Sequence, residues 1–112
     1  MSANSQRVVL ISGRSRGLGA ELVAVFLAHG DRVATFSRTP TPAVEAWSRD
    51  KDTASRFRFA AIDIMDSLAV AAFVKHISRE FGEIEVLINN AGAASESLLA
   101  LARDAYIDGP SI

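Results

Sequence analysis

The chain has no cysteine, which excludes a disulfide framework and any thiolate-based metal site. Lysine is scarce, with only Lys51 and Lys75, and there is one tyrosine, Tyr106, and one tryptophan, Trp47. Neither sign of charge dominates: 12 basic residues face 13 acidic ones, for a net charge of −1. That balance excludes the broad basic footprint of a nucleic-acid binder and a polybasic membrane-facing surface. No apolar run approaches the ~18–20 residues of a membrane span. Met1 to Gln6 lacks the basic start and apolar centre of a signal peptide. These absences lead to the expectation of a soluble, cytoplasmic protein with no nucleic-acid or membrane partner. His29 and His76 have no sequence neighbours suited to acid–base or metal work, so both read as structural and no metal site is expected.

What is present is a core-forming composition. Nearly half of the 112 residues are hydrophobic, which argues against disorder and suits a single small domain. Apolar strand-like runs alternate with segments of helical periodicity. Strands are expected at Arg7–Ser12, Arg32–Ser37, Arg56–Asp63 and Ile84–Asn89. Helices are expected from Leu18 to about His29, from Pro42 to about Asp50 with Thr41 as N-cap, and from Asp66 to Phe81. A last helix is expected over residues 97–107. In the third helix Val70, Phe73, Val74, Ile77 and Phe81 recur at helical spacing. Gly30 and Gly82 stand where helices end. The alternation predicts an α/β fold, a parallel four-stranded sheet with helices on both faces, and if it is half of a Rossmann fold its strand order is 3-2-1-4.

The chain is organised around Ser12-Gly13-Arg14-Ser15-Arg16-Gly17-Leu18-Gly19. A strand, a glycine-rich turn and a helix start in that order aim free backbone N–H groups at a phosphate. Glycine permits the positive φ and the close approach this needs. In dinucleotide-binding folds the end of the second strand meets the adenosine ribose. A carboxylate there binds a 2′-hydroxyl, and an arginine accommodates a 2′-phosphate. Here that strand ends in Ser37-Arg38, and Asp31 lies at its opposite end. Arg16 can reach the same phosphate from the glycine turn. Each charge-assisted hydrogen bond contributes roughly 1.5–3 kcal/mol, so the pair favours NADP(H) over NAD(H).

The pattern Gly13-x-x-x-Gly17-x-Gly19, followed by Asp63-Ile64 after the third strand and Asn89-Asn90-Ala91-Gly92 closing the fourth, resembles the short-chain dehydrogenase/reductase family. Within it, Ser15-Arg16 together with Arg38 resembles the NADP-dependent 3-oxoacyl-carrier-protein reductases. The resemblance covers roughly Arg7 to Ile107. It implies that Gly13, Ser15, Arg16, Gly17, Leu18 and Gly19 wrap the pyrophosphate and 2′-phosphate, and that Ser37 and Arg38 hold the ribose phosphate. It further implies that Asp63 and Ile64 bracket the adenine, while Asn90, Ala91 and Gly92 line the inner ribose. One departure is Ser12, where the family usually has threonine; its hydroxyl can make the same local bond.

The family's chemistry also needs a tyrosine with a lysine four residues later, because a neighbouring cation favours the phenolate. Four residues after Tyr106 comes Pro110, and both lysines lie upstream. No catalytic residue is therefore assigned, and Tyr106 reads as a packing residue. Residues 1–112 read as one N-terminal dinucleotide-binding domain that stops before the family's catalytic segment. Gly109-Pro110-Ser111-Ile112 departs from the family, as a truncated, frameshifted or partial gene product would.

The leading expectation is the NADP(H)-binding portion of a carbonyl or 3-oxoacyl reductase, inactive alone. The alternative is a non-catalytic nucleotide-binding or interaction module that self-associates or pairs with a full-length relative. Its surface would be the strand at 84–89 and the helix at 97–107, since Arg56 and Arg58 discourage pairing at the third strand. A receiver-type signalling domain would want acidic residues after the first strand, where this chain has Ser12-Gly13-Arg14.

Overall fold

A computed structural model describes residues 6–13 and 18–89. Four strands alternate with three helices: β1 (Val8–Ser12), α1 (Leu18–His29), β2 (Arg32–Ser37), α2 (Pro42–Arg49), β3 (Phe57–Ala61), α3 (Ser67–Phe81) and β4 (Val86–Asn89). All pairings are parallel, as the alternation predicts, and the sheet order β3-β2-β1-β4 is that of half a Rossmann fold. The last helix expected at 97–107, with Tyr106, lies outside the described residues.

Side-chain alternation along the central strands builds two cores. Val8 and Leu10 of β1, with Ala34 and Phe36 of β2, face Val70, Phe73, Val74, Ile77 and Phe81 of α3. Val9 and Ile11, with Val33, face Val23 and Leu27 of α1 and Val44 of α2. β1 is buried along its whole length, which is why its sequence is a continuous apolar run rather than an alternating one. The Phe36 and Phe73 rings meet edge to face with centroids 5.8 Å apart, and Trp47 meets Phe57 in the same way at 5.4 Å.

The helix ends follow their local chemistry. The Thr41 hydroxyl accepts from the Val44 N–H at 3.3 Å with Pro42 at the first helical position. The Asp66 carboxylate accepts from the Ala69 N–H at 3.2 Å. Gly30 after α1 and Gly82 after α3 both have positive φ. At the far ends of the helices, arginines from the strands take the open carbonyls. Arg56 Nη1 donates to Leu27 O and Asp31 O, at 3.1 and 2.9 Å. Arg32 Nη1 donates to Phe81 O at 2.9 Å.

Strand limits are tighter than the sequence suggests. β3 ends at Ala61 rather than Asp63, because the Asp63 carbonyl accepts from the Asp66 N–H at 2.8 Å and turns the chain. β4 begins at Val86 rather than Ile84. Arg56 and Arg58 are folded against the protein at the β3 edge instead of standing in solvent: Arg56 caps α1, and Arg58 pairs with Glu80 at 2.9 Å.

Candidate functional site

The register places the carboxyl ends of all four strands along one edge. Ser12 lies beside Phe36 and beside Asn89, and Ser37 lies beside Ala61. Strand order reverses between β1 and β4. Outside the strand ends at such a reversal, an open α/β sheet forms the crevice that takes ligands. Ser12 is fully buried there, and its hydroxyl donates to Asn89 Oδ1 at 2.8 Å.

Immediately beyond Ser12 the backbone enters the left-handed region at Gly13, with φ 101°. The Gly13 N–H donates to Phe36 O at 3.2 Å, so the strand ladder holds until the turn begins. Positive φ without a Cβ is the geometry that a phosphate-cradling turn requires. Leu18 opens α1, and Gly19 is buried in its first turn. Ser15, Arg16 and Gly17 lie outside the described residues, as do Asn90, Ala91 and Gly92.

Two further strand ends reach the same edge. The Ser37 hydroxyl donates to Thr39 O at 3.1 Å. Arg38 follows it with its side chain 80% exposed, and its Nε stands 3.8 Å from Asp63 Oδ2. Asp63 reaches this edge because the Ile62 N–H donates to Ser37 O at 2.8 Å, carrying the β2–β3 ladder one step past β3. Its Oδ1 accepts from the Met65 N–H at 2.9 Å. Ile64 is half-buried and packs against the α3 core. The structure thus brings Gly13, Ser37, Arg38 and Asp63 to one edge.

The opposite end of the sheet carries charge clusters that hold the fold. Asp31 is buried, and Arg7 grips it three times: backbone N to Oδ1 at 3.1 Å, Nε to Oδ1 at 3.3 Å and Nη2 to Oδ2 at 2.9 Å. Burial works against the ionised carboxylate. The Arg7 side-chain and backbone hydrogen bonds, with its charge and that of His29, outweigh it and hold Asp31 below the ordinary carboxylate value. The same partner raises Arg7 above the ordinary guanidinium value, chiefly through the side-chain hydrogen bond to Asp31. Both histidines have carboxylate neighbours, contrary to the expectation that they have no suitable partner, and for His76 the i,i+4 spacing to Glu80 on α3 is the signal that could have shown it. His29 Nδ1 is 3.5 Å from Asp31, and His76 Nε2 is 3.1 Å from Glu80. Glu80 lies below its usual value chiefly because Arg58 donates to it.

A cavity of about 380 Å³ at this end is bordered by Arg32, Arg56, Arg58 and Glu80. Its guanidinium groups are already engaged by the carbonyls that end α1 and α3 and by Glu80 and Asp52. Among the described residues no group of three or more potential ligands sits together as a metal site would require. No helix among them is long and apolar enough to cross a membrane.

Comparison with known proteins agrees with this architecture. The family model for short chain dehydrogenase matches residues 7–108. The chain is 32% identical over 94 residues to the 3-oxoacyl-[acyl-carrier-protein] reductase FabG of Chlamydia muridarum, covering 83% of this chain and 38% of that protein. Among solved structures it resembles one described as a 3-oxoacyl-reductase from Bacillus thuringiensis. That likeness has 32% identity and a TM-score of 0.69 over 78% of this chain and 36% of the other. ElxO with NADP bound has the same fold at 19% identity, with a TM-score of 0.64 over 94% of this chain and 49% of that one. The chain spans well under half the length of the first relatives it matches. With the parallel 3-2-1-4 sheet and the glycine turn at its reversal point, it belongs to the short chain dehydrogenase family of NAD(P)-dependent oxidoreductases.

Proposed function

We propose that this chain is the NADP(H)-binding portion of a short-chain oxidoreductase of the carbonyl or 3-oxoacyl reductase type. The observation that carries this reading is the shared edge, where Gly13 at φ 101° and the Ser37-Arg38 strand end lie at the carboxyl ends of neighbouring strands. These residues fit the cofactor. The start of α1 offers backbone N–H groups to the pyrophosphate, and Gly13, without a Cβ, lets it approach, while Arg38 offers a cation to the 2′-phosphate. Asp31, the carboxylate directly before β2, is committed to Arg7 at the other end of the sheet, so it does not serve as a 2′-hydroxyl acceptor. When bound, the cofactor supplies a hydride; this chain's residues bind and orient it.

The 112 residues do not carry the tyrosine and lysine pair that would pass a proton to a carbonyl oxygen. These 112 residues by themselves would therefore bind NADPH without reducing a carbonyl. Calorimetric titration with NADPH and NADH is the test, repeated with Arg38→Asp. NADPH should bind more tightly in the starting protein, and the preference should collapse in the variant. Equal affinities in the starting protein would contradict the assignment.

A second reading is favoured by one observation. Among the described residues β4 pairs only with β1, with Val86, Leu87 and Ile88 half-buried beside its outer edge. An edge with no second strand among the described residues is a template for another strand, and a second copy or a full-length relative would supply it. Sedimentation of the protein at tens of micromolar distinguishes the readings: a clean monomer removes self-association.

A further inference from the structure

We infer that Asp63 limits the preference for a 2′-phosphate by competing with that phosphate for the Arg38 guanidinium. The inference rests on the NADP(H)-binding reading above and goes beyond it. The two oxygens of the Asp63 carboxylate have different tasks. Oδ1 is fixed by the Met65 N–H at 2.9 Å, inside the turn that the Asp66 N–H closes on the Asp63 carbonyl. Oδ2 faces Arg38 Nε at 3.8 Å. The loop, rather than Arg38, therefore holds the carboxylate in place. Arg38, 80% exposed, is the more exposed member of the pair.

A cation placed in this way is partly compensated before a ligand arrives. A dianionic 2′-phosphate bound to Arg38 comes within a few ångströms of the Asp63 charge, shares the guanidinium with it and is repelled by it. A 2′-hydroxyl carries no charge and is indifferent to Asp63. Any contact between Asp63 and the adenine is common to both ligands and cancels in their ratio. The charge of Asp63 therefore weighs against the phosphorylated cofactor alone. Because both groups are solvent-exposed, the effect is modest and weakens with salt.

The experiment uses the adenosine halves of the cofactors, 2′,5′-ADP and 5′-AMP, titrated calorimetrically at low salt into four proteins. These are the starting chain, Asp63→Asn, Arg38→Ala and the double variant. Asparagine keeps an oxygen for the Met65 N–H; Asp63→Ser, which also keeps an acceptor, replaces it if Asp63→Asn folds poorly. Asp63→Asn should raise the preference for 2′,5′-ADP over 5′-AMP by about twofold to fivefold, the scale of an exposed ion pair. The rise should shrink when Arg38 is absent. An unchanged or reduced ratio overturns the inference while leaving the binding reading intact, provided that the starting chain prefers 2′,5′-ADP. A rise of the same size without Arg38 also overturns it, since competition for Arg38 is then not its source. A starting chain that binds neither adenylate overturns the binding reading and the inference with it.

Discussion

Ser12 and Asn89, 77 residues apart in sequence, are joined by a 2.8 Å hydrogen bond from the serine hydroxyl to the asparagine amide oxygen. The bond ties the carboxyl end of β1 to that of β4, at the place where the strand order reverses. It lies one residue before Gly13, where the backbone leaves β1 with φ 101°. Ser12→Ala should cost about 1 kcal/mol of stability, the usual net contribution of one hydrogen bond. Urea unfolding followed by circular dichroism measures it. An unchanged midpoint would show that the bond contributes nothing net.

Gly13 should tolerate no side chain. At φ 101° an L-residue is strained, at a cost of about 1–2 kcal/mol. A Cβ would also stand where a phosphate must approach. Gly13→Ala should therefore lower the unfolding midpoint and weaken NADPH binding at least tenfold, by urea titration and calorimetry respectively. Retained affinity would place the phosphate elsewhere.

Ser78 offers the opposite result. Its hydroxyl is buried on α3, and among the described residues it has no hydrogen-bond partner. Alanine removes that desolvated group and has the higher helix propensity. Ser78→Ala should stabilise the fold by about 1 kcal/mol, a rise in melting temperature of about 4 °C. A fall would mean that the hydroxyl is satisfied after all.

Acid should weaken the far end of the sheet in a defined window. Asp31 has its carboxyl pKa held below the ordinary 3.8 in the folded protein. Its contribution is complete above that ordinary value and is lost as pH falls through the lower folded one. Asp31→Asn should flatten the loss of stability below pH 4 and lower stability at neutral pH, where Arg7 loses a charged partner. Denaturant midpoints measured from pH 7 to pH 2 give the comparison. Parallel curves for the two proteins would remove Asp31 from the acid response.

Arg56 should matter more than its surface position suggests. One guanidinium nitrogen serves both Leu27 O and Asp31 O, closing α1 and anchoring the start of β2. Arg56→Leu should cost about 2 kcal/mol, the scale of hydrogen bonds made by a charged donor. The denaturant midpoint reads it, and a loss within error would leave α1 capped by Gly30 alone.

Local chemistry was legible in the sequence where the deciding residues are neighbours. The Thr41-Pro42 cap, the Asp66 cap, Gly30, Gly82 and the α3 stripe from Val70 to Phe81 all stand where their spacing puts them. The strand order followed from alternation and topology rules. Partnerships that depend on register were not legible. Arg7 with Asp31 is separated by 24 residues, Arg58 with Glu80 by 22 and Ser12 with Asn89 by 77. Periodicity carries no information about which polar groups meet across strands. Asp31 stands just before β2, at the wrong end of that strand for a ribose. Its position directly after Gly30, at a buried strand start, was the available sign that it needed a cation. At the site, the glycine turn and Arg38 were readable from motif and placement. That Asp63 faces Arg38 was not, because the turn that aims its carboxylate forms only once β3 ends at Ala61.

The account stands on the carboxyl edge of the sheet as the cofactor site. Its most direct measurement is a two-dimensional ¹⁵N–¹H spectrum of the protein titrated with NADPH. Saturating shifts should concentrate at Gly13, Ser37, Arg38 and Asp63, with Asp31, Arg32 and Arg56 at the other end unmoved. Shifts centred on the arginine-bordered cavity at that far end, or none at millimolar NADPH, would contradict it.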